Sequence, residues 1–494
     1  MIASRSARHP PGSITARDLA DRAFSRAAGA TLVPDNRVRI LKDAGENYPA
    51  WLDAIRSARR TIHFESYIIH DDDAGRRFGE ALAIRAQAGV CVRLIYDWVG
   101  AFGKTSPRLW RSLRRAGVEV RCFNPPKLDS PFGWLSRDHR KLLTVDSRIG
   151  FVTGLCVGQM WLGDPERDVE PWRDTGVEVQ GPAVVDLEEA FAQTWAAAGT
   201  ALPLDDLPDR DSISRAGDVA LRVVAAEPAE SSLYRLDQLV AAIARKSVWI
   251  ADAYYAATPA YVQALRAAAR DGVDVRLLVP GGTDIPILRP LSQAGYRPLL
   301  EADVRVFEWN GPMMHAKTAV ADGRWARVGS TNLNPASWLG NWELDVVVED
   351  ERFGQAMEQM FLDDLSQSTE IVLTERRRVR PTARSARGRR PVTKGTGSAG
   401  RAAAGAIRLG NTVGAAIANH RPLGPAEASI MQITASVLIG LALVAFFWPR
   451  VIAIPLTVIS AWCAVSLVIK ARRLRSKGEQ RRQRSGRDSR SSSL

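Results

Sequence analysis

The chain has 494 residues, of which 46% are hydrophobic and 24% charged, and its formal net charge is +13. This composition excludes a mostly disordered, collagen-like or coiled-coil protein and allows two or three domains with full cores. The four scattered cysteines form neither a disulfide framework nor a CxxC metal site, which is typical of a reducing compartment.

The positive charge is concentrated at the C-terminal end. Residues 376–494 carry 23 Lys and Arg against three acids, a balance of +20, so the first 375 residues carry −7 of the total of +13. A nucleic-acid enzyme usually carries its positive charge on the folded body, where it neutralises phosphates. The charge distribution therefore argues against a nucleic-acid partner.

The folded body is predicted to consist of two similar modules. Residues 1–36 form an N-terminal extension, partly disordered and without the apolar segment of a signal peptide. The first module spans 37–205 and the second 206–375. RAQAGVCVRLIYDW (85–98) matches RAAARDGVDVRLLVP (266–280), in each case a helix leading into a buried strand.

Apolar strand runs alternate with helical stretches throughout both modules. The helical stretches are 46–60, 106–116, 258–271 and 286–301. This alternation predicts an α/β fold, with mixed sheets sandwiched by helices and two modules related by a pseudo-two-fold axis. A site at the module interface would then receive one copy of each repeated motif.

One repeated motif carries the chemistry. The chain has only six histidines, and two of them begin the pattern HxKxxxxD: His139, Lys141 and Asp146, then His315, Lys317 and Asp322. On a strand, residues i and i+2 point to one face, so each pair aims an imidazole and an ammonium at the same group. Two such pairs suit a phosphodiester: the lysines stabilise charge on the phosphoryl oxygens, one histidine attacks phosphorus and the other protonates the leaving oxygen. We expect no metal and no cofactor.

These motifs make the sequence resemble the phospholipase D superfamily, and within it the bacterial cardiolipin synthases, over residues 37–375. In the family the motif continues to GSxN, which the second module matches with Gly329, Ser330 and Asn332. The first module instead reads Thr153-Gly154-Leu155-Cys156, so Cys156 occupies the Asn position. That thiol is either reactive or, as we expect, a buried and inert side chain.

The resemblance also implies roles for the site residues. Glu343 is expected to accept a hydrogen bond from the histidine of its own module, His315, and Asp174 to do the same beside His139. His139 is expected to be the nucleophile, and His315 the acid and then the base. From Asp146 and Asp322, although they belong to the catalytic signature, we expect structural support more than proton transfer.

The implied reaction is phosphatidyl transfer between two phosphatidylglycerol molecules, giving cardiolipin and glycerol. With water as the acceptor, the same pocket would make a phospholipase D that releases phosphatidic acid. The acidic body argues against a nuclease, and the two intact His–Lys pairs argue against a non-catalytic scaffold. The sequence does not indicate the oligomeric state.

The C-terminal region is predicted to anchor the chain in a membrane. It divides into a basic linker (376–427), two transmembrane helices (428–470) and a basic disordered tail (471–494). The apolar runs Ser429–Trp448 and Val451–Ile469 are separated only by Pro449 and Arg450, so they predict a helical hairpin. The alternative is a pair of buried helices in a soluble domain.

The basic flanks of the hairpin predict its topology. Positively charged residues stay on the cytoplasmic side, so the body and both termini are expected in the cytosol, with the chain a multi-pass protein of the bacterial cytoplasmic membrane. The arginine-rich flanks would bind anionic lipid headgroups, or would be solvated segments that only set the topology.

Overall fold

We analysed a computed structural model of the chain. It describes residues 16–126, 136–282, 295–373 and 379–381 and, in the C-terminal region, 435–436, 439–440 and 442–491.

The first module is built on a mixed sheet with the strand order β4-β3-β2-β6-β7-β8-β1. The parallel strands β2, β3 and β4 lie on one side, and β2 pairs antiparallel with β6 so that Ser66 lies opposite Lys141. The strands are β1 (Val33–Lys42), β2 (Thr61–Ser66), β3 (Cys91–Asp97), β4 (Glu119–Phe123), β5 (Arg137–Asp138, outside this sheet), β6 (Lys141–Val145), β7 (Ile149–Thr153) and β8 (Thr175–Gln180).

The second module repeats this arrangement in the order β17-β16-β12-β11-β10-β13-β14-β15-β9. Strands β10, β11 and β12 are parallel, and β10 pairs with β13 so that Asp252 lies opposite Lys317. The strands are β9 (Val219–Ala226), β10 (Ser247–Asp252), β11 (Asp274–Pro280), β12 (Arg305–Trp309), β13 (Lys317–Ala321), β14 (Trp325–Gly329), β15 (Asn341–Glu349), β16 (Ser368–Leu373) and β17 (Val379–Pro381).

Helices cover the sheets, and side-chain caps define where several of them begin. Asp72, Thr258 and Asp350 each accept a hydrogen bond from a backbone N–H in the first turn of the helix that follows. The helices are α1 (Ala16–Ala28), α2 (Asp43–Ser57), α3 (Asp73–Gln87), α4 (Trp98–Ala101), α5 (Pro107–Arg115), α6 (Gln159–Leu162), α7 (Val184–Ala198), α8 (Ser232–Ile243), α9 (Pro259–Arg270), α10 (Pro335–Leu339), α11 (Glu351–Ser366) and α12 (Pro449–Ser491).

Backbone pairing joins the two modules. Strand β1 pairs with β8 of its own module and also, around Val33 and Asn36, with β9 of the second. The short strand β5 runs parallel to the start of β15, with Arg137 opposite Asn341. One continuous apolar core lies between the two sheets, with buried residues from both modules such as Val177 and Val346. The pairing therefore fixes how the two copies of the motif face each other.

The predicted α/β fold of two repeated modules is confirmed, and three of the four predicted helices correspond to α2, α5 and α9. Most of the fourth, 286–301, lies outside the described residues, although 295–300 are helical. Helix α1 falls in the predicted N-terminal extension and packs on the second module, where Ala28 shares a core with Leu236. Strand β17 extends the second sheet into the predicted linker.

The C-terminal region differs from the predicted hairpin. Within the part of the chain that the structure describes, only Pro449–Ile469 form a helix long and apolar enough to cross a membrane. Part of the first predicted arm, Ser429–Trp448, lies outside the described residues. Pro449 and Arg450 do not form the predicted turn but begin α12, because proline fits the first turn of a helix.

Helix α12 is not a core helix, and it is longer than predicted. Its apolar side chains, such as Leu456 and Val458, are exposed, which disagrees with the alternative of buried helices in a soluble domain. The helix continues through Ser491 instead of ending in a disordered tail, since Arg, Lys, Gln and Glu are good helix formers.

Candidate active site

The two motif histidines lie in equivalent places, each just before a central strand. His139 follows β5 and precedes β6, and His315 precedes β13. The backbone N–H of His139 donates to the carbonyl of Trp342 at 2.9 Å, and that of His315 donates to the carbonyl of Arg173 at 2.7 Å. Each histidine is therefore held by a backbone segment of the other module.

Each histidine also contacts a carboxylate of the other module. Nδ1 of His139 lies 2.9 Å from Oε2 of Glu343, and Nδ1 of His315 lies 2.6 Å from Oδ2 of Asp174. The predicted pairing within modules is wrong. Glu343 and Asp174 occupy equivalent positions near the starts of β15 and β8, where these strands run alongside the opposite motif.

The hydrogen bonds to the carboxylates fix the orientation of both imidazole rings. Burial raises the pKa of Asp174, but the neighbouring His315, which donates a hydrogen bond to it, and the charge of Lys317 outweigh burial and hold that pKa below its ordinary value. The pKa of Glu343 is lowered in the same way, burial being outweighed by His139. Both acids are therefore ionised at neutral pH and accept a hydrogen bond from Nδ1–H, which leaves Nε2 of each ring for substrate.

Burial makes both histidines neutral. The pKa of His315 is lowered to about 4, first by burial and then by the charge of Lys317. The pKa of His139 is lowered by burial as well, with Glu343 opposing the shift. A neutral imidazole is the nucleophilic form, so the protonation state alone lets either histidine serve as the nucleophile.

The motif lysines lie beside the histidines. Lys317 Nζ is 3.0 Å from Nδ1 and 3.2 Å from Nε2 of His315, and Lys141 Nζ donates to the carbonyl of His139. Burial lowers the pKa of Lys317 to about 8, so the side chain remains mostly charged at neutral pH. Two buried ammonium groups in one pocket favour an anionic ligand.

Asp146 and Asp322 do not reach the pocket. They follow the far ends of β6 and β13, each with a positive φ. Asp146 accepts the backbone N–H groups of Arg59, Arg60 and Thr61 at 2.7–2.9 Å. Asp322 accepts those of 245–247 in the same way. These contacts support the expected structural role of both residues and argue against their place among the catalytic residues.

The GSxN segment and its first-module counterpart pack against the carboxylates. The hydroxyl of Ser330 donates to Glu343, which places it on the His139 side of the site. At the equivalent position, a Cβ on Gly154 would lie 2.2 Å from Oδ1 of Asp174, so a larger residue here would displace the carboxylate that holds His315. Asn332 is buried and its Oδ1 has no hydrogen-bond partner in the described part of the chain.

Cys156 is buried at the position that Asn332 occupies in the second module. Its side chain is 2% exposed, and burial raises the pKa of its thiol although the charges of Lys141 and Lys317 oppose the shift. A thiol that stays protonated is neither a nucleophile nor a metal ligand. The environment of Cys156 therefore favours the expectation of an inert thiol over a reactive one.

Aromatic side chains surround the two motif histidines, and the two tyrosines among them were not predicted from the sequence. The ring of Tyr67 lies 5.1 Å from that of His139, and the ring of Tyr254 lies 5.9 Å from that of His315. Trp161 and Trp172 flank His315 at 5.9 and 5.6 Å. Trp172 directly precedes Arg173 and Asp174, so the WRD segment was the available signal.

Comparison with known proteins identifies the family. The model of the family described as "Cardiolipin synthase, PLD-like domain" matches residues 51–161 and 239–365, one match in each module. Cardiolipin synthase A of Pseudomonas fluorescens (strain SBW25) is 35% identical over 369 residues, covering 73% of this chain and 74% of the relative. The chain belongs to the cardiolipin synthase family of phospholipase D-like phosphatidyltransferases.

More distant matches extend this result. Cardiolipin synthase of Staphylococcus aureus (strain Mu50) is 31% identical over 350 residues, which cover 69% of this chain and 70% of the relative. The crystal structure of phosphatidylserine synthase from Haemophilus influenzae Rd KW20 aligns with a TM-score of 0.56 at 14% identity, over 71% of this chain and 91% of that one. At this identity the structural match supports the two-module fold alone.

Proposed function

We propose that this protein makes cardiolipin by moving a phosphatidyl group from one phosphatidylglycerol molecule to another, with a phosphohistidine intermediate. The observation that carries the proposal is the pair of His–Lys sets, each with its histidine held on a carboxylate of the opposite module. Similarity to proteins named cardiolipin synthase supports the choice of substrate.

In the first half-reaction, Nε2 of His139 attacks phosphorus of phosphatidylglycerol. A phosphorus–nitrogen bond forms and the bond from phosphorus to the glycerol headgroup oxygen breaks. His315, which takes up a proton on Nε2 when the anionic phosphodiester binds, gives that proton to the leaving oxygen. Glu343 stabilises the positive charge that develops on the attacking imidazole, as a carboxylate 2.9 Å from Nδ1 should. Glycerol then leaves.

In the second half-reaction, His315 acts as the base. Its neutral Nε2 takes the proton from a glycerol hydroxyl of a second phosphatidylglycerol, whose oxygen attacks the phosphohistidine. The phosphorus–nitrogen bond breaks and cardiolipin is released. Lys141 and Lys317 bind the phosphoryl oxygens in both steps, where preorganised charge is most effective because the pocket is buried.

The proposed location is the cytoplasmic membrane of a bacterium, with the body on the cytosolic side. The apolar helix Pro449–Ile469 supports attachment to the membrane. The positive charge on both sides of the apolar region supports a cytosolic position for the body and both termini, which requires a second crossing. A multi-pass topology therefore belongs to the proposal.

The test is product analysis with purified full-length protein in detergent and phosphatidylglycerol as the only lipid. Mass spectrometry should detect cardiolipin, and excess glycerol should suppress it because glycerol reverses the first step. Phosphatidic acid alone would refute the transferase and identify a phospholipase D with water as the acceptor. His315→Ala should remove the product, whereas the matched control Arg324→Ala, an exposed cation in the turn after β13, should not.

A further inference from the structure

An exposed aromatic tip projects beside the active site. After β3 the chain forms the short helix α4 and turns back through Thr105, and we name Trp98–Thr105 the aromatic tip. Phe102 is 72% exposed, more than any other large apolar side chain described between residues 16 and 381. Its ring lies 5.3 Å from that of the half-buried Trp98. Soluble surfaces rarely expose such a pair without a partner.

The aromatic tip is fixed to the elements that hold His139. Asp97 accepts a hydrogen bond from the backbone N–H of Gly100 in the tip, and also from Arg137 and from the N–H of Asp138, at 3.0–3.1 Å. A Cβ on Gly100 would lie 2.0 Å from the carbonyl oxygen of Tyr67, whose ring faces His139. The tip therefore sits at the pocket edge of the first module and is tightly packed at its base.

The second module also has an exposed apolar residue next to a segment of the active site. Leu339, at the end of α10, is 56% exposed. It lies between the GSxN segment and Asn341, whose amide donates to Glu343 at 3.1 Å. Each module thus has one exposed apolar side chain within a few residues of a side chain that holds the active site together.

Positive charge accompanies the aromatic tip. Residues 98–115 contain five Lys and Arg and no acid, and Arg108 and Arg111 are exposed in the part of α5 nearest to the tip. The neighbouring acids 71–73 are already engaged: Asp72 caps α3, and the other two pair with Arg76. Aromatic side chains flanked by cations are typical of protein surfaces that enter the headgroup region of an anionic bilayer.

From these observations we infer that the aromatic tip, with Arg108 and Arg111, docks the body on an anionic bilayer and places the pocket mouth at the headgroups. The inference rests on the proposed function, because a two-chain lipid must reach His139 without leaving the membrane. An apolar helix tethers the chain but does not determine which face of the body meets the bilayer. The aromatic tip supplies that orientation.

The first test reports position directly. Full-length Phe102→Cys, labelled with an environment-sensitive fluorophore and reconstituted in phosphatidylglycerol vesicles, should show a blue shift that is reduced in phosphatidylcholine vesicles. Labelled Ile84→Cys is the matched control, because Ile84 is 61% exposed near the end of α3. This helix end leads into the start of β3, whereas the aromatic tip follows the end of that strand. Equal spectra at the two positions would overturn the inference, whatever the reaction proves to be.

The second test reports the consequence for turnover. For each variant, the rate on phosphatidylglycerol in vesicles is divided by the rate on a short-chain phosphatidylglycerol dissolved as monomers. We expect Phe102→Ser to lower this ratio about ten-fold, and Arg108→Gln with Arg111→Gln to lower it about five-fold for each charge. Ile84→Ser should leave it unchanged. An unchanged ratio in all variants refutes docking and leaves the proposed function intact, whereas a wild type without cardiolipin in either assay refutes only the function.

Discussion

The exchange of carboxylates between the modules can be tested by replacing each acid with its neutral isostere. Asp174→Asn keeps the size of the side chain and the oxygen that accepts the N–H of Thr175 at 2.9 Å, but removes the charge 2.6 Å from His315. A hydrogen bond to a charged group contributes about 1.5–3 kcal/mol, and a lost orienting carboxylate costs about 10⁴ in kcat in a serine-protease triad. We expect kcat to fall by about 10²–10⁴ in Asp174→Asn and in Glu343→Gln.

The two variants should differ once the leaving group no longer needs a proton. With phosphatidyl-p-nitrophenol, whose phenolate departs unassisted, Asp174→Asn should regain a rapid burst of p-nitrophenol, because only the acid His315 is impaired. Glu343→Gln should show no burst, since its nucleophile His139 has lost the orienting carboxylate. Each variant is the control for the other. Rescue of Glu343→Gln instead of Asp174→Asn would mean that either the crossed pairing or the assignment of His139 as nucleophile is wrong.

Three further predictions concern residues around the site. Asp146→Ala should lower the free energy of unfolding in urea by about 2–3 kcal/mol through the loss of three backbone hydrogen bonds, while kcat is unchanged; a loss of kcat in a fully folded variant would return Asp146 to the catalytic residues. Cys156 should resist iodoacetamide in the native protein and react after unfolding, because burial raises the pKa of its thiol; native labelling, read by peptide mass spectrometry, would identify a reactive cysteine. The pKa of His315 falls from 6.5 to about 4 on folding, so the unfolded chain binds more protons than the folded chain between these values. The free energy of unfolding should therefore decrease as pH falls from about 6.5 towards 4, by up to about 1.4 kcal/mol per pH unit. Urea melts should show a smaller decrease in His315→Gln, and an equal decrease would show that this histidine is not buried in its neutral form.

The sequence predicted what depends on local pattern. Alternating apolar strands and helices indicated two α/β modules, and HxKxxxxD indicated His139, Lys141, His315 and Lys317, because both signals lie within short segments. It could not predict which carboxylate reaches which histidine. That pairing depends on how β15 of one module runs alongside β5 of the other, a contact between residues some two hundred positions apart in the chain. The expectation of partners within modules failed for this reason.

The C-terminal region shows another limit of sequence pattern. The length of Val451–Ile469 correctly indicated a helix able to cross a membrane. The turn was assigned to Pro449 and Arg450 because they interrupt the apolar run. Proline is equally suited to begin a helix, and the helical backbone is interrupted one residue earlier, at Trp448. Composition therefore located the apolar segment but not the residue at which its helix begins.

In the proposed mechanism, the charges around His315 couple its protonation to the binding of substrate. Its imidazole lies against Lys317 and close to two tryptophans, and with a pKa of about 4 it is unprotonated at neutral pH and has no proton to donate from Nε2. A phosphodiester bound between the lysines adds negative charge beside the ring, which offsets their repulsion and raises that pKa. In the proposed roles, proton donation to the leaving glycerol is therefore coupled to the presence of an anionic lipid. After glycerol has left, the same lysines favour the neutral form that the second half-reaction requires as its base.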